Sequence, residues 1–377
     1  MGSCADSEGG DRVGAPLVSV VMAVKDGQDY VWDALDSVLA QTARDLEVIV
    51  VDDSSTDATA DVLRRCPDSR VAVITNERSI GQTPSLNIAL RAASGRFIAR
   101  QDADDLWFPN RLAVGLEALE REELAIVGSG AIHMDGGGRV MNIVYVPERP
   151  TVLRWHLLCR NVCYHSSLLW DRMAVHGACG LYDEECRLAQ DYDLLTRACV
   201  RVRVGNVARP LVCIRRHAGA ETVRRGEEQD ASALSISKRL LSKYLPGVSD
   251  CRLEAVRSLG GGLPARIAPT DIPTAAADYC SLRRAYLVEQ QLSTDQGADA
   301  SLLRESAVSC LVRLMRTHVR SNPTETLQAW HAVWAREPSL AATVSWHMGE
   351  LLATRVRAAS AQALKRTLGG RQRSAGA

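Results

Sequence analysis

The chain has 377 residues, 46% of them apolar, so it is long enough for two domains with hydrophobic cores and is not a disordered protein. Forty-five basic residues balance forty-five acidic ones, which leaves no overall field to favour a nucleic acid or an acidic partner. The eleven cysteines include no Cys-x-x-Cys pair, so we expect free thiols, a reducing compartment and a cytoplasmic location.

Apolar runs and helical patterns alternate along the first 100 residues. Strands are predicted at 17–24, 46–51, 71–75 and 96–100, and the first is a continuous β-branched run typical of a strand buried on both faces. Helices are predicted between them at 31–39, 57–65 and 83–94, with Pro84 in the first turn of the last helix and Gly95 just past its end. This alternation predicts a parallel sheet covered by helices, with the strand ends pointing into one crevice.

The pattern changes after residue 124. Strands at 124–134 and 139–146, joined by a glycine-rich turn, predict a mixed or antiparallel extension of the sheet. A helix at 150–158, a strand-like segment at 161–170 and a helix starting near Asp191 follow, and the segment 210–219 closes this part. From about residue 226 the chain is rich in Ala, Leu, Arg and Ser with helical spacing. We therefore expect a flexible leader (1–15), an α/β domain (16–225) and a smaller all-α domain (226–377).

Acidic residues stand where predicted strands end and where a late helix begins. Asp53 follows the second strand, Asp102, Asp104 and Asp105 follow the fourth, and Asp191 starts the helix. The carboxyl ends of the strands share one crevice, so these groups should converge although the sequence separates them. Helix capping is the alternative interpretation, and for Asp105 we favour a role in the loop or cap that leads into the next helix. A divalent cation with oxygen ligands would relieve the repulsion among the carboxylates.

Seven segments in register closely resemble the family 2 glycosyltransferases with the GT-A fold. They are VSVVMAVKDG, SVLAQT, LEVIVVDDSSTDAT, SLNIAL, GRFIARQDADD, YDEECRLAQDYDLLTR and IRRHAG, and the resemblance covers residues 16–225. It implies a Rossmann-like, mostly parallel sheet flanked by helices. It also implies an inverting enzyme that moves a sugar from a nucleotide diphosphate, expected to be a UDP-sugar, to a hydroxyl of a glycan, a lipid-linked or a small-molecule acceptor. The implied cofactor is Mn²⁺ or Mg²⁺.

The resemblance also assigns roles to residues. By it, Asp191 is the catalytic base, Asp53 contacts the base of the nucleotide, Asp102 lies on the ribose side, and Asp104 with His217 holds the metal. Further contacts with the nucleotide sugar are implied for Ala23, Val24, Asn87 and Arg215.

Three positions depart from the family pattern. Leu86 stands where many relatives have Arg before the Asn, which bears on the group that helps bind the diphosphate. Gln190 replaces the Glu of the usual Glu-Asp pair, which bears on whether a neighbouring acid raises the pKa of the base. His165 is followed by Ser166 rather than Pro, and we interpret this histidine as packed and hydrogen-bonded.

Two other functions are weighed against transfer. One is a degenerate member that binds a nucleotide sugar or a glycan without turnover, but such a scaffold need not keep the base. The other is a sugar nucleotidyltransferase, which would require a glycine-rich, lysine-bearing loop that KDGQDYVWDAL does not supply. The basic segment from Leu351 is interpreted as a solvated helix face; its alternative is contact with an anionic membrane surface, at the inner face of the membrane.

Overall fold

The computed structural model describes residues 14–292 and 297–349. Most of the predicted leader and the basic segment from Leu351 lie outside these residues. The chain divides into two compact units, one of residues up to 157 with 161–236, the other of 158–160 with the residues from 237 onward.

The first unit is an α/β unit built on nine strands. The strands are β1 (Val18–Val24), β2 (Leu46–Asp52), β3 (Val71–Thr75), β4 (Phe97–Arg100), β5 (Leu106–Trp107), β6 (Ile126–Asp135), β7 (Val140–Val144), β8 (Leu169–Asp171) and β9 (Val204–Arg216). The helices are α1 (Val31–Leu39), α2 (Thr59–Arg64), α3 (Gln82–Ala92), α4 (Arg111–Arg121), α5 (Pro150–Leu157), α6 (Arg172–Cys179), α7 (Gln190–Ala198) and α8 (Glu221–Arg224). The boundary between the units falls within α9 (Gly226–Tyr244).

The strands form one mixed sheet in the order β3-β2-β1-β4-β8-β6-β9-β5, with β7 paired to β6. The pairs β1–β2, β2–β3, β1–β4 and β6–β9 are parallel, whereas β8 pairs antiparallel with both β4 and β6. Strands β1 to β4, β6 and β9 therefore all run in one direction. The predicted α/β class with a mostly parallel sheet is confirmed, and so is an antiparallel extension through β7.

Two apolar layers cover the faces of this sheet. All seven residues of β1 are buried, and they alternate between the layers: Val21 and Ala23 face one cluster, Val20 and Met22 the other. A β-branched run without polar interruption is what a strand covered on both sides requires. The carboxyl end of this central strand, β1, lies at one edge of the sheet.

The segment 161–170 differs from the prediction of a strand. Residues His165–Ser167 form a single turn of 3₁₀ helix, and only Leu169–Asp171 is a strand, β8. Hydrogen bonds within the turn and from the Ser167 hydroxyl to the carbonyl oxygen of Tyr164 (2.7 Å) replace the ladder expected there. The turn contains Ser166 and Ser167, and it places Ser166 beside the loop that follows β4.

The second unit is helical, as predicted. Its helices are α10 (Asp250–Gly260), α11 (Ile272–Glu289), α12 (Ala298–His318) and α13 (Pro323–Arg336), and residues 338–349 are also helical. A buried ion pair joins Arg283 of α11 to Glu337, and the ring of Trp330 stacks on that of Trp334 at 5.5 Å. Within the described ranges, no helix has both the length and the apolar character needed to cross a bilayer.

Gly95 generates a first prediction. A Cβ at this position would lie 2.6 Å from the backbone nitrogen of Ser19 and 2.8 Å from its hydroxyl oxygen. Because the obstacle includes the backbone of β1, we expect Gly95→Ala to lower the free energy of unfolding by about 1–3 kcal/mol. Denaturant unfolding measures this. The control is Gly177→Ala in α6, where nothing lies within 4 Å; it should be neutral or stabilising by up to about 1 kcal/mol. Equal effects of the two substitutions would contradict the prediction.

Candidate active site

A cavity opens at the edge where β1, β2, β4 and β9 end. These strands run in the same direction, so their carboxyl ends meet there, and the cavity measures about 720 Å³. Of the nine residues predicted from sequence, six line it: Ala23, Val24, Asp53, Asp102, Asp104 and His217. The other three, Asn87, Asp191 and Arg215, are outside its lining.

Asp53, the first residue after β2, holds together one wall of the cavity. Its backbone nitrogen donates to the carbonyl oxygen of Val24 at 2.8 Å, which ties the ends of β1 and β2 together. Its carboxylate accepts four hydrogen bonds of 2.7–2.9 Å from the side chains of Asn76 and Ser79 and from two backbone nitrogens, of Ile80 and Gly81. Burial alone would raise the pKa of Asp53, but these four donors lower it below its ordinary value. The group is therefore an ionised anchor for the segment 76–81.

Asp102 is the first of the three crowded aspartates, and it is held by a buried cation. Its Oδ1 accepts from the guanidinium of Arg100 and, at 3.4 Å, from the amide of Gln82. Its Oδ2 lies 2.7 Å from the hydroxyl of Ser166. Burial would raise the pKa of Asp102, but the charge of Arg100 leads the effects that bring it below the ordinary value. This carboxylate is ionised and lines the cavity.

Asp105 turns away from the cavity into the interior. Its Oδ1 accepts from the backbone nitrogen of Arg215 at 2.9 Å, and its Oδ2 lies in hydrogen-bond contact with the same Ser166 hydroxyl. One hydroxyl has one hydrogen, so Ser166 donates to one carboxyl group only, and the second contact requires a proton on Asp102 or Asp105. Asp105 is the more buried of the two. Burial and the charges of Asp104 and Asp102 raise the pKa of Asp105 well above its ordinary value, in agreement.

Of the two roles expected for Asp105, in the loop or as a cap of the following helix, the cap is not formed. Helix α4 begins at Arg111, and its N-cap residue, Asn110, has no side-chain cap hydrogen bond. The carboxyl group of Asp105 instead joins the end of β4 to the end of β9 through Arg215. Its role is structural, as expected, but it acts between strands rather than at a helix terminus.

Asp104 meets His217 at the cavity. The Oδ2 of Asp104 lies 3.0 Å from the Nε2 of His217, and both side chains are partly exposed, at 31% and 20%. Burial and the neighbouring charge of Asp102 raise the pKa of Asp104, while the imidazole opposes that rise. The ring of Tyr30 packs against His217 with centroids 4.7 Å apart. A carboxylate and an imidazole that share one cavity wall are a suitable pair of ligands for a divalent cation.

Arg215 is buried behind this pair. Its Nε donates to the carbonyl oxygen of Asp104 and its Nη1 to that of Gly136, both at 3.0 Å, and its guanidinium lies 4.6 Å from the ring centroid of Tyr30. These contacts fix the backbone of Asp104. The position supports the cavity wall, whereas the resemblance implied a contact with the nucleotide sugar.

Asn87 is also buried, on α3. Its amide nitrogen donates to the carbonyl oxygen of Tyr182 and to Glu184, both at 2.9 Å, and its amide oxygen accepts from the backbone nitrogen of Tyr182 at 3.1 Å. Both ends of the amide are thus occupied by the segment that precedes α7. Asn87 therefore holds the segment 182–184, which precedes α7 and Asp191 in the chain.

Asp191 is the second residue of α7 and does not cap it, since the N-cap is Ala189. Its Oδ2 accepts from the amide of Asn161 at 2.8 Å. Burial, opposed by the backbone hydrogen bond of Tyr192 and aided by the charge of Asp102, raises the pKa of Asp191 to about 6. A carboxylate with this pKa is ionised at neutral pH and is a much stronger base than an ordinary aspartate.

Hydrogen bonds link Gln190, the residue that precedes Asp191, to the cavity. The amide of Gln190 donates to Gln82 at 2.7 Å, and Gln82, which lines the cavity, reaches Asp102. The sequence did not single out Gln82 or Ser166, because a polar residue in a helix or a turn carries no sign of a partner 60 to 110 positions away. His165 is packed and hydrogen-bonded as expected: it is partly buried, and its Nε2 lies 2.8 Å from the hydroxyl of Tyr182.

Within the described residues, no group of three or more His, Cys, Asp and Glu side chains has the arrangement of a self-sufficient metal site. The pair Asp104 and His217 supplies two ligands. Mg²⁺ and Mn²⁺ are commonly held by one or two protein ligands with substrate phosphates and water completing the shell, so the pair fits a cation that binds together with a diphosphate.

Comparison with known proteins agrees with this architecture. Residues 19–174 match the family model for Glycosyl transferase family 2. The Escherichia coli UDP-Glc:alpha-D-GlcNAc-diphosphoundecaprenol beta-1,3-glucosyltransferase WfaP is 36% identical over 108 residues, which are 29% of this chain and 43% of that protein. An uncharacterized glycosyltransferase of Haemophilus influenzae is 26% identical over 250 residues, or 61% of this chain and 75% of that one. The match thus spans less than half the length of the E. coli relative.

Among solved structures, that of Staphylococcus aureus TarS 1–349 in complex with UDP-GlcNAc superposes with a TM-score of 0.52 at 16% identity, over 85% of this chain and 92% of that one. At this identity the likeness shows the fold. The sheet order, the cavity at the strand ends and the family match over β1 to β8 lead to one conclusion: residues 19–174, which carry most of the sheet, are similar to glycosyl transferase family 2.

Proposed function

We propose that the protein is an inverting glycosyltransferase that moves a sugar from a UDP-sugar to an acceptor hydroxyl, with Asp191 as general base. One observation carries the proposal: a cavity of about 720 Å³ is lined by Asp53, Asp102, Asp104 and His217, and its Gln82 is hydrogen-bonded to Gln190, the neighbour of a carboxylate whose pKa is raised to about 6. The E. coli relative uses UDP-Glc, which favours UDP as the nucleotide.

The donor would lie along the strand ends. The ends of β1 and β2, joined by the hydrogen bond from Asp53 to Val24, form the wall for the nucleotide together with Ala23. Because the four acceptor positions of the Asp53 carboxylate are already used, its part is to hold the segment 76–81 as a wall against the base. Asp102, partly exposed, is available to the ribose side.

Asp104 and His217 would hold a divalent cation against the diphosphate. Such a cation supplies a Lewis acid that neutralises the charge of the diphosphate when bound. The protein's own part is to fix the two ligands: Arg215 holds the backbone of Asp104, and Tyr30 packs on the imidazole. These supports orient the pair before a donor arrives.

In the transfer step, the ionised carboxylate of Asp191 accepts the proton of the acceptor hydroxyl. The hydroxyl oxygen forms a bond to the anomeric carbon as the bond from that carbon to the diphosphate oxygen breaks on the opposite face. The electron pair leaves with the nucleotide diphosphate, and the configuration of the sugar inverts. Asn161 donates to Oδ2 of Asp191 at 2.8 Å and so directs the other carboxylate oxygen. The acceptor is a hydroxyl of a glycan, free or lipid-linked, the latter being the acceptor class of the E. coli relative.

The base assignment generates a second prediction. A screen of sugar nucleotides with Mn²⁺ or Mg²⁺, read out by release of the nucleotide, identifies the donor. With that donor, kcat should rise with pH through a midpoint of about 6 and level off above it, because Asp191 must be ionised to accept a proton. Asp191→Asn should bind the donor with unchanged Kd and lose transfer. The base would be misassigned if this variant transferred sugar at the wild-type rate.

The ligand pair generates a third prediction. Asp104→Asn and His217→Ala should each raise the Mn²⁺ concentration for half-maximal donor binding by roughly tenfold or more, since each removes one of two protein ligands. Calorimetric titration of the donor at several Mn²⁺ concentrations measures this. The control is Asp36→Asn, an exposed aspartate of α1 outside the cavity lining, which should leave the Mn²⁺ requirement unchanged. A requirement that no substitution of the pair alters would place the cation elsewhere.

A further inference from the structure

Large apolar side chains lie exposed on the helical unit. Leu327 and Trp334 of α13 are 56% and 46% exposed, and Trp346, in the helix of residues 338–349, is 60% exposed. Trp330 lies between the first two in sequence and is partly exposed. Positions i, i+3 and i+7 of a helix share one face, so Leu327, Trp330 and Trp334 form one stripe of α13. We call these four residues the tryptophan patch.

Contacts between the two helices hold the patch in place. The ring of Trp330 stacks on that of Trp334 with centroids 5.5 Å apart, and its Nε1 donates to the hydroxyl of Ser345 at 2.8 Å. That hydroxyl donates in turn to the carbonyl oxygen of Ala341 at 2.8 Å. Trp346 directly follows Ser345, so it stands one residue from the point where the two helices meet. Single exposed apolar side chains are common, whereas aromatic residues grouped and held in this way indicate a contact surface.

The segment that carries the patch has no exposed carboxylate. From residue 326 to residue 349, the chain has one carboxyl side chain, that of Glu337. Glu337 is buried in an ion pair with Arg283 of α11, whereas Arg336 beside it is exposed. The segment is therefore aromatic and apolar, and it has no charge of its own that would repel an anionic partner.

The sequence beyond this segment is basic. Residues 351–377 lie outside the described ranges, and they contain no Asp or Glu. Their basic residues are Arg355, Arg357, Lys365, Arg366, Arg371 and Arg373. Two interpretations of this sequence were open, a solvated helix face and contact with an anionic membrane surface. The tryptophan patch just before it in the chain favours the membrane, because indole rings settle at the boundary between lipid headgroups and acyl chains while basic residues attract anionic lipids.

We propose that the tryptophan patch is a docking surface for a membrane that contains anionic lipids. Leu327, Trp334 and Trp346 insert among the headgroups. Trp330 supports Trp334 from the side, and the basic residues from Arg355 onward supply attraction to the lipid charges. The inference goes beyond the proposed function, since no step of sugar transfer depends on it.

Co-sedimentation of the full chain with vesicles tests this docking. Vesicles of phosphatidylcholine and phosphatidylglycerol in equal amounts should carry the protein down, and vesicles of phosphatidylcholine alone should bind it more weakly. Trp334→Ser and Trp346→Ser should each lower the partition coefficient on the mixed vesicles by roughly tenfold, because binding strength scales with the apolar area inserted. The matched control is Trp32→Ser: this tryptophan of α1 is 42% exposed and belongs to the α/β unit, so its loss should leave the partition coefficient unchanged.

Quenching of tryptophan fluorescence reports the insertion itself. Phosphatidylcholine brominated on its acyl chains, included in the mixed vesicles, should quench the wild-type protein and Trp32→Ser. The double variant Trp334→Ser/Trp346→Ser should lose most of that quenching. Trp346 is the more exposed of the two, so Trp346→Ser keeps the test available if loss of the stacked Trp334 lowers stability.

Three results would overturn the inference. One is a wild-type protein that stays in the supernatant with the mixed vesicles. Another is binding that salt abolishes while both tryptophan variants keep the wild-type partition coefficient, which would assign the contact to the basic residues alone. The third is a wild-type dimer in sedimentation velocity that both variants convert to monomers, which would assign the patch to a second copy of the chain. None of these measurements uses a sugar nucleotide, so failure here is distinct from failure of the proposed function.

Discussion

The mutual repulsion of carboxylates at one sheet edge is the constraint around which this site is built. Asp102, Asp104 and Asp105 occupy three of four consecutive positions, and each receives a different counterpart: a buried guanidinium, an imidazole and a proton. Three equivalent anions at this spacing would destabilise the edge. Three inequivalent groups do not: the pKa of Asp105 is raised well above its ordinary value, Asp102 is paired with the buried Arg100, and Asp104 lies partly exposed at the cavity beside His217.

Topology supplies these counterparts from distant parts of the chain. Antiparallel β8 inserts beside β4, so the turn that precedes it delivers Ser166 to the acidic loop. Parallel pairing of β6 with β9 carries the end of β9 to the same edge, which places His217 against Asp104. The fold thus assembles one polar network from segments about 60 to 110 positions apart. The apolar layers that cover both faces of the sheet give that network a rigid base.

The parts that sequence predicted are those with local signals. Continuous β-branched runs identified the parallel strands, and acidic residues after them identified the cavity edge, because strand ends in such sheets converge. The contacts of Gln82 and Ser166 had no local signal, since an isolated amide or hydroxyl is equally common on a solvated surface. The segment 161–170 is apolar enough for a strand, yet the side chains of its serines satisfy the backbone and the acidic loop, and a turn results. Asn87 and Arg215 were recognised as important residues, but their partners are backbone groups that only the folded chain brings near.

In the proposed mechanism, the neutral side chain of Gln190 bears on how the base, Asp191, acquires its proton affinity. Relatives that carry Glu at this position place a second negative charge beside the base, which would raise its pKa. Here the neighbour is a neutral amide that donates to Gln82, and yet the pKa of Asp191 is about 6. Burial provides the largest part of this rise, and Asp102, held in place by Arg100, adds to it. In the proposed mechanism, the charge that raises the pKa of the base would thus come from Asp102, on the proposed donor side of the cavity, rather than from the adjacent residue.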